Sequence, residues 1–180
     1  CHAVKTATED SGQQAAANHP EWLKLSAVPL TIVCGPPASG KSTYVSDRAG
    51  DDDLVIDLDA IARSINPVYE HWRGMLTGPL LNGAIRVRNA LLGSLARRTH
   101  GRAWFIVSAP TQAERNWWRS KLGGEVVLLD PGIEECKRRA VARGTPDAVA
   151  GIDAWHRKSR APWQPSGPRR RIGLDGWPVE

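Results

Sequence analysis

Residues 35–42 read Gly-Pro-Pro-Ala-Ser-Gly-Lys-Ser and follow directly on the apolar run Leu30-Thr31-Ile32-Val33-Cys34. A β-branched run feeding a glycine-rich turn, then the helix-compatible Thr43-Tyr44-Val45, predicts a strand, a tight loop and a helix in immediate succession. The octapeptide has the full G-x-x-x-x-G-K-[ST] spacing of a loop that wraps phosphate in backbone amides. Gly35 and Gly40 allow the backbone to curl around the anion. Pro36, Pro37, Ala38, Ser39 and Thr43 complete the expected nucleotide-binding stretch. Lys41 is expected to reach the β- and γ-phosphates, and the Ser42 hydroxyl to hold Mg²⁺. The ligand expected from the motif is a nucleoside triphosphate, taken as ATP with Mg²⁺.

The chain has 180 residues, which fits one domain with short extensions. Hydrophobic residues make up 41% of it, enough for a core, yet no segment approaches the ~18 apolar residues of a membrane span. No membrane association is therefore expected, and no charged-then-apolar signal opens the sequence, so a cytoplasmic location is the expectation. Cys1, Cys34 and Cys136 are too few and too scattered for a disulfide framework. The net charge of +5 suits polyanionic partners such as nucleotides or nucleic acid without selecting one. Eight Trp against one Phe and two Tyr reads as coding bias and not as eight stacking platforms.

Along the chain, strands alternate with helices. After the loop a helix is expected from Thr43 to Arg48, then a turn at Asp51-Asp52-Asp53, read as solvated. Leu54-Val55-Ile56-Asp57-Leu58-Asp59 reads as a second strand ending in carboxylates, with a brief helix through Arg63. Leu80 to Arg98 is expected to be the longest helix, with Leu80, Ala84, Val87, Leu91 and Leu95 on its buried face. Ala103–Ser108 is the third strand. Thr111 and Glu114 form the pattern of a capping box for a helix through Lys121. Glu125–Asp130 is the fourth strand, Ile133–Arg143 a helix closed by Gly144, and Ala148–Arg160 a further helix. This order implies a mostly parallel sheet with helices on both faces. Domain boundaries are expected at residues 1–28 (tail and linker), 29–160 (the α/β domain) and 161–180 (an extended Pro/Trp/Arg tail).

Over roughly residues 29–160 the chain resembles the small P-loop kinases, the group of gluconate kinase, zeta toxin and phage polynucleotide kinase. The phosphate loop, Ile56-Asp57-Leu58-Asp59 with Arg63, and the run Cys136-Lys137-Arg138-Arg139-Ala140-Val141-Ala142-Arg143-Gly144 carry the resemblance. It implies an α/β P-loop NTPase fold in three layers. It also implies an ATP-dependent transfer of phosphate to a hydroxyl. Lys41 and the lid arginines Arg139 and Arg143 would neutralise charge, and Asp59 would act as base. Asp57 would assist Mg²⁺ with Ser42. Asp59 alternatively caps the short helix after it, and Arg139 and Arg143 alternatively pair only with Glu135. The third strand ends Val107-Ser108-Ala109-Pro110 without a carboxylate, which counts against a motor or helicase.

Cys1-His2-Ala3-Val4-Lys5-Thr6 resembles the closing segment of HNH endonucleases. With Cys at position 1 and Met75 the only methionine, the chain is expected to be a fragment or a processed product, with an upstream nuclease module as a partner. The acceptor is read as a nucleic-acid 5′-end or a nucleotide. A small metabolite, or a non-catalytic nucleotide-binding module, are the alternatives. Trp163, Arg169, Arg170, Arg171 and Trp177 could hold single-stranded nucleic acid, or could strap the tail onto the domain. His71, His100 and His156 are read as surface histidines and Cys34 as core.

Overall fold

The computed structural model describes residues 16–69 and 76–167. The opening segment that resembles a nuclease, His71 and Trp72, and the tail residues Arg169, Arg170, Arg171 and Trp177 lie outside the described residues.

Strand β1 (Leu30–Cys34) is buried along its whole length, with Ile32, Val33 and Cys34 at 0% exposure. A continuous apolar run suits a strand covered on both faces. Ile32 and Cys34 face one core with Leu92, Leu95, Phe105, Trp118 and Leu122, and Val33 faces another with Val45, Trp104 and Ile106. The other strands are β2 (Leu54–Asp57), β3 (Ala103–Val107) and β4 (Glu125–Leu128), in the order β2-β3-β1-β4. Every pairing is parallel, so the expected α/β sheet is present with all four strands running one way. Cys34 sits opposite Val107 and Leu128, and Asp57 opposite Ile106. The strand ends therefore line up along one edge, where ligands of such sheets bind.

The helices are α1 (Lys41–Ser46), α2 (Leu58–Ile65), α3 (Gly78–Ser94), α4 (Gln112–Leu122), α5 (Ile133–Ala142) and α6 (Ala148–Lys158). Helix α3 runs into a short 3-10 turn at Leu95–Arg97. Among the described residues, no helix is long and apolar enough to cross a membrane.

Three local expectations need correction. Strand β2 stops at Asp57, and Leu58 and Asp59 open α2 instead of extending the strand. Asp57 itself caps that helix, its Oδ1 accepting from the Asp59 N–H at 3.2 Å. Asp53 is more than a solvated turn residue: it accepts from the N–H groups of Gly50 and Arg102 and from Trp104 Nε1, tying the turn to β3.

The third correction concerns α3, which buries Leu81, Ala84, Ile85, Arg88, Asn89 and Leu92, continuing to Leu95 in the turn, while Val87 is 40% exposed. The face is rotated from the expected one because residues 16–23 lie along it. Asn89 Nδ2 donates to Ala17 O at 2.8 Å, and Arg88 donates to Asn18 O at 2.7 Å. A Cβ on Gly93 would meet the exposed Trp22 ring at 2.7 Å, so the absence of a side chain there lets that ring lie close against α3.

Candidate active site

The loop after β1 has the conformation its glycines imply. Gly35 has φ +153° and Gly40 φ +98°, and a Cβ on Gly35 would lie 2.2 Å from Leu129 O. Gly35 N–H is bonded to Ser108 O, which anchors the loop on the end of β3. Ser39 is 5% exposed and its Oγ has no partner among the described residues. Such an orphan in a cradle of amides fits a loop shaped around a further polar group.

Lys41 Nζ folds back over this loop and donates to Gly35 O at 2.9 Å and to Pro36 O at 2.6 Å. Burial pushes its ammonium down to about 8, against the opposing pull of Asp57 and Asp59. A cavity of about 310 Å³ opens here, walled by loop residues Pro37 to Thr43 and by Asp57, Asp59 and Arg143. Ser42 and Thr43 are exposed on its rim. The loop and both carboxylates predicted for the site are thus brought together.

Asp57 and Asp59 reach the same cavity although only Asp57 belongs to the strand. One ends β2 and the other begins α2, so the cap geometry juxtaposes them. Burial, then the neighbouring Asp59, holds the Asp57 carboxyl above its usual range. Asp59 Oδ1 accepts from the Tyr69 hydroxyl at 3.4 Å. Burial, then Asp59, pushes that phenol up to about 12, so it stays a donor.

Helix α5 brings the arginines. Arg139 Nε donates to Glu135 Oε1 at 2.7 Å and Nη1 to Ser39 O at 3.2 Å, so α5 is pinned to the phosphate loop. Arg138 makes two exposed bonds to the same Glu135, both 2.7 Å. Hydrogen bonds from Arg138 and then Arg139 hold the Glu135 carboxyl down at about 2. Arg143 caps the end of the helix, is exposed, and lines the first cavity. Glu135 therefore pairs with Arg139 but not with Arg143. Among the described residues, no cluster of three or more His, Cys, Asp or Glu is arranged to hold a metal ion. The oxygens of Ser42 and Asp57 border the cavity and fit a cation carried in by a triphosphate.

A second cavity of about 330 Å³ shares Pro37, Lys41, Asp57, Asp59 and Ile106 with the first. Its far wall is Asn18, Arg88, Glu114 and Trp118, none of which sequence reasoning singled out for the site. Arg88 is 4% exposed, its Nε and Nη2 donating to Asn89 Oδ1 at 3.2 and 2.9 Å and its Nη1 to Asn18 Oδ1 at 3.3 Å. The capping box at α4 is half of what its pattern implies. Thr111 Oγ1 accepts from Glu114 N–H at 3.0 Å, but the Glu114 side chain turns away to His19 Nε2 at 3.0 Å. His19, 5% exposed, is bonded through Nδ1 to Ser166 and is ringed by Trp117, Trp118 and Trp163. Periodicity in α3 gave the wrong face, and a lone histidine in a polar linker carries no sequence signal.

A third cavity of about 550 Å³ shares Asn18, Pro37, Ser108 and Glu114 with the second and is also lined by Trp155, Lys158 and Trp163. Ser108 O, at the carboxylate-free end of β3, accepts from Trp155 Nε1 at 2.8 Å. His156 contacts Asp130 at 3.2 Å, and Cys34 is core, with burial pushing its thiol up to about 12.

Solved structures of similar shape include TT1252 from Thermus thermophilus (21% identity, 71% of this chain and 80% of that one, TM-score 0.46). A sugar kinase from Janibacter sp. HTCC2649 aligns at 18% identity over 77% of this chain and 82% of that one, TM-score 0.49. Shikimate kinase from Acinetobacter baumannii aligns at 18% over 77% and 86%, TM-score 0.42. Comparison with curated proteins finds no match. The AAA domain family matches residues 30–161, which spans every strand among the described residues, the loop after β1, Asp57 and Asp59, and α5. The chain belongs to the AAA domain family.

Proposed function

We propose that the protein is an ATP-dependent phosphotransferase that moves the γ-phosphoryl group to a hydroxyl of an acceptor seated in the second cavity. One observation carries this reading: Lys41, Asp57 and Asp59 line both cavities, with the phosphate loop on one side and a separate polar chamber on the other. A binding module needs only the first chamber.

Phosphoryl transfer depends chiefly on positioning and charge stabilisation. The loop amides and Lys41 would hold the triphosphate, and Arg139 and Arg143 would approach its outer oxygens from α5. Ser42 and Asp57 would hold Mg²⁺ carried in with the nucleotide, which would supply charge neutralisation for the phosphates. In the transfer the acceptor oxygen bonds to the γ-phosphorus as the bond to the β-phosphate oxygen breaks. Asp59 takes the hydroxyl proton, and ADP leaves. Asp59 suits this role better than Asp57, whose Oδ1 is engaged in capping α2. Tyr69 donates to Asp59 and orients it.

Labelled ATP with a broad acceptor panel tests the proposal. Asp59→Asn is expected to cut transfer about 10²-fold or more while leaving Mg·ATP binding intact. Calorimetry that finds no association of Mg·ATP with folded protein, and no effect of Lys41→Ala, would overturn it. The competing acceptor class is a nucleic-acid 5′-end, for which Trp155, Trp163 and Lys158 of the adjoining third cavity would supply stacking and charge. For that reading, 5′-hydroxyl oligonucleotides should accept phosphate better than nucleosides do.

A further inference from the structure

The far wall of the second cavity presents a specific hydrogen-bonding pattern. Guanidinium groups only donate, so the Asn18 amide atom facing Arg88 Nη1 at 3.3 Å must be the carbonyl oxygen. That fixes the rotamer and leaves Asn18 Nδ2, a donor, with no hydrogen bond among the described residues. Glu114 is held in the same way: Oε1 is taken by His19 Nε2 at 3.0 Å, and Oε2 has no hydrogen-bond partner among the described residues. Asn18 and Glu114 both border the second and third cavities. One oriented donor and one oriented acceptor therefore stand where the two cavities adjoin.

The groups behind them are unusual for a merely structural contact. Arg88, Asn89, Glu114 and His19 are all under 9% exposed, and burying such groups is costly unless each is bonded. Here the bonds are made, and their effect is to orient two atoms toward a cavity. Asn18 and His19 lie ahead of the family-matched residues 30–161, and Ser166, which accepts the His19 backbone N–H through its O at 3.2 Å, lies behind them. Part of the wall thus lies outside the family-matched residues and is attached to them by Arg88 and Glu114.

We infer that Asn18 and Glu114 are the acceptor-recognition residues, and that they select a small neutral molecule offering a hydrogen-bond acceptor and a donor side by side. A diol of a sugar or polyol has this chemistry, and so does the ribose of a nucleoside. Arg88 and His19 are positioning residues, acting through Asn18 and Glu114. The cavity volume of about 330 Å³ holds one such unit, with the hydroxyl to be phosphorylated at Asp59 and the paired groups at Asn18 and Glu114. This inference rests on the phosphotransfer reading above.

The test uses the full chain saturated with Mg²⁺ and a non-hydrolysable ATP analogue. Hexoses, pentoses, polyols, nucleosides and a short 5′-hydroxyl oligothymidylate are titrated by calorimetry, and the binders are then assayed with Mg·ATP. At least one small member is expected to bind and to accept phosphate, and sugars against nucleosides distinguishes the two sources. Asn18→Asp keeps an oxygen for Arg88 but turns the free donor into an acceptor. It is expected to raise the acceptor KM about ten-fold or more with KM for ATP unchanged, as is Glu114→Gln. Unchanged acceptor KM in both variants, binding by the oligothymidylate alone, or binding by no panel member would each overturn the inference. Loss of analogue binding by the wild-type chain would instead overturn the phosphotransfer reading itself.

Discussion

Lys41 has a titration with a measurable consequence. Its ammonium, enclosed by the loop and bonded to Gly35 O and Pro36 O, sits at about 8 in the free protein. A bound triphosphate favours the charged form and moves that value back up. Nucleotide binding near this pH must therefore take up a proton, and affinity should fall as pH rises through about 8. Calorimetry in buffers of different ionisation enthalpy measures the uptake, and a pH-independent Kd from pH ~7 to ~9 would contradict the assignment. At this scale the sequence was most informative where chemistry is written as a contiguous string. The loop, Asp57, Asp59, Arg139 and Arg143 were all legible because each is a motif residue or a neighbour of one. Asn18, His19, Arg88 and Glu114 were not, because what joins them is contact across sequence separations of 70 and 95 residues.

Among the elements, the ends of helices carry the clearest local rules. Helix α5 closes through Arg143 and Gly144, with Gly144 at φ +71°, Gly144 N–H bonded to Val141 O and Thr145 N–H to Ala140 O. Nothing lies within 4 Å of a Cβ built at Gly144, so Gly144→Ala tests backbone conformation alone. It should cost about 1 kcal/mol in chemical denaturation, and shift Arg143 enough to weaken Mg·ATP binding. Thr111→Ala removes the only side-chain cap of α4 and should cost about 1 kcal/mol by the same measurement. These termini follow from residue type, so the sequence located them well. The face of α3 did not follow, since hydrophobic spacing ranks a buried arginine and asparagine as polar. Their burial depends on carbonyls of Ala17 and Asn18, supplied from a distant stretch. The strand and helix order, by contrast, is set by local runs and turns, and the parallel sheet emerged from it.

At the scale of the whole molecule, the segment before β1 is part of the packed structure. Leu23 is 6% exposed in the main core, Ala16 packs with Leu81 and Ile85, and Lys121 pairs with Glu21. A chain shortened to begin at residue 24 should lose about 3 kcal/mol or more, because a core leucine goes and the α3 amide loses its carbonyl. Its thermal midpoint should fall by roughly 6–12 °C, and an unchanged midpoint would mean that the segment does not pack as described. The His19 node extends the same point. Sequence ahead of the shared core and sequence behind it meet on one imidazole, and that imidazole aims a carboxylate at the chamber. On the proposed reading, edits to either flank would retune the choice of acceptor while the sheet and the loop after β1 stay as they are.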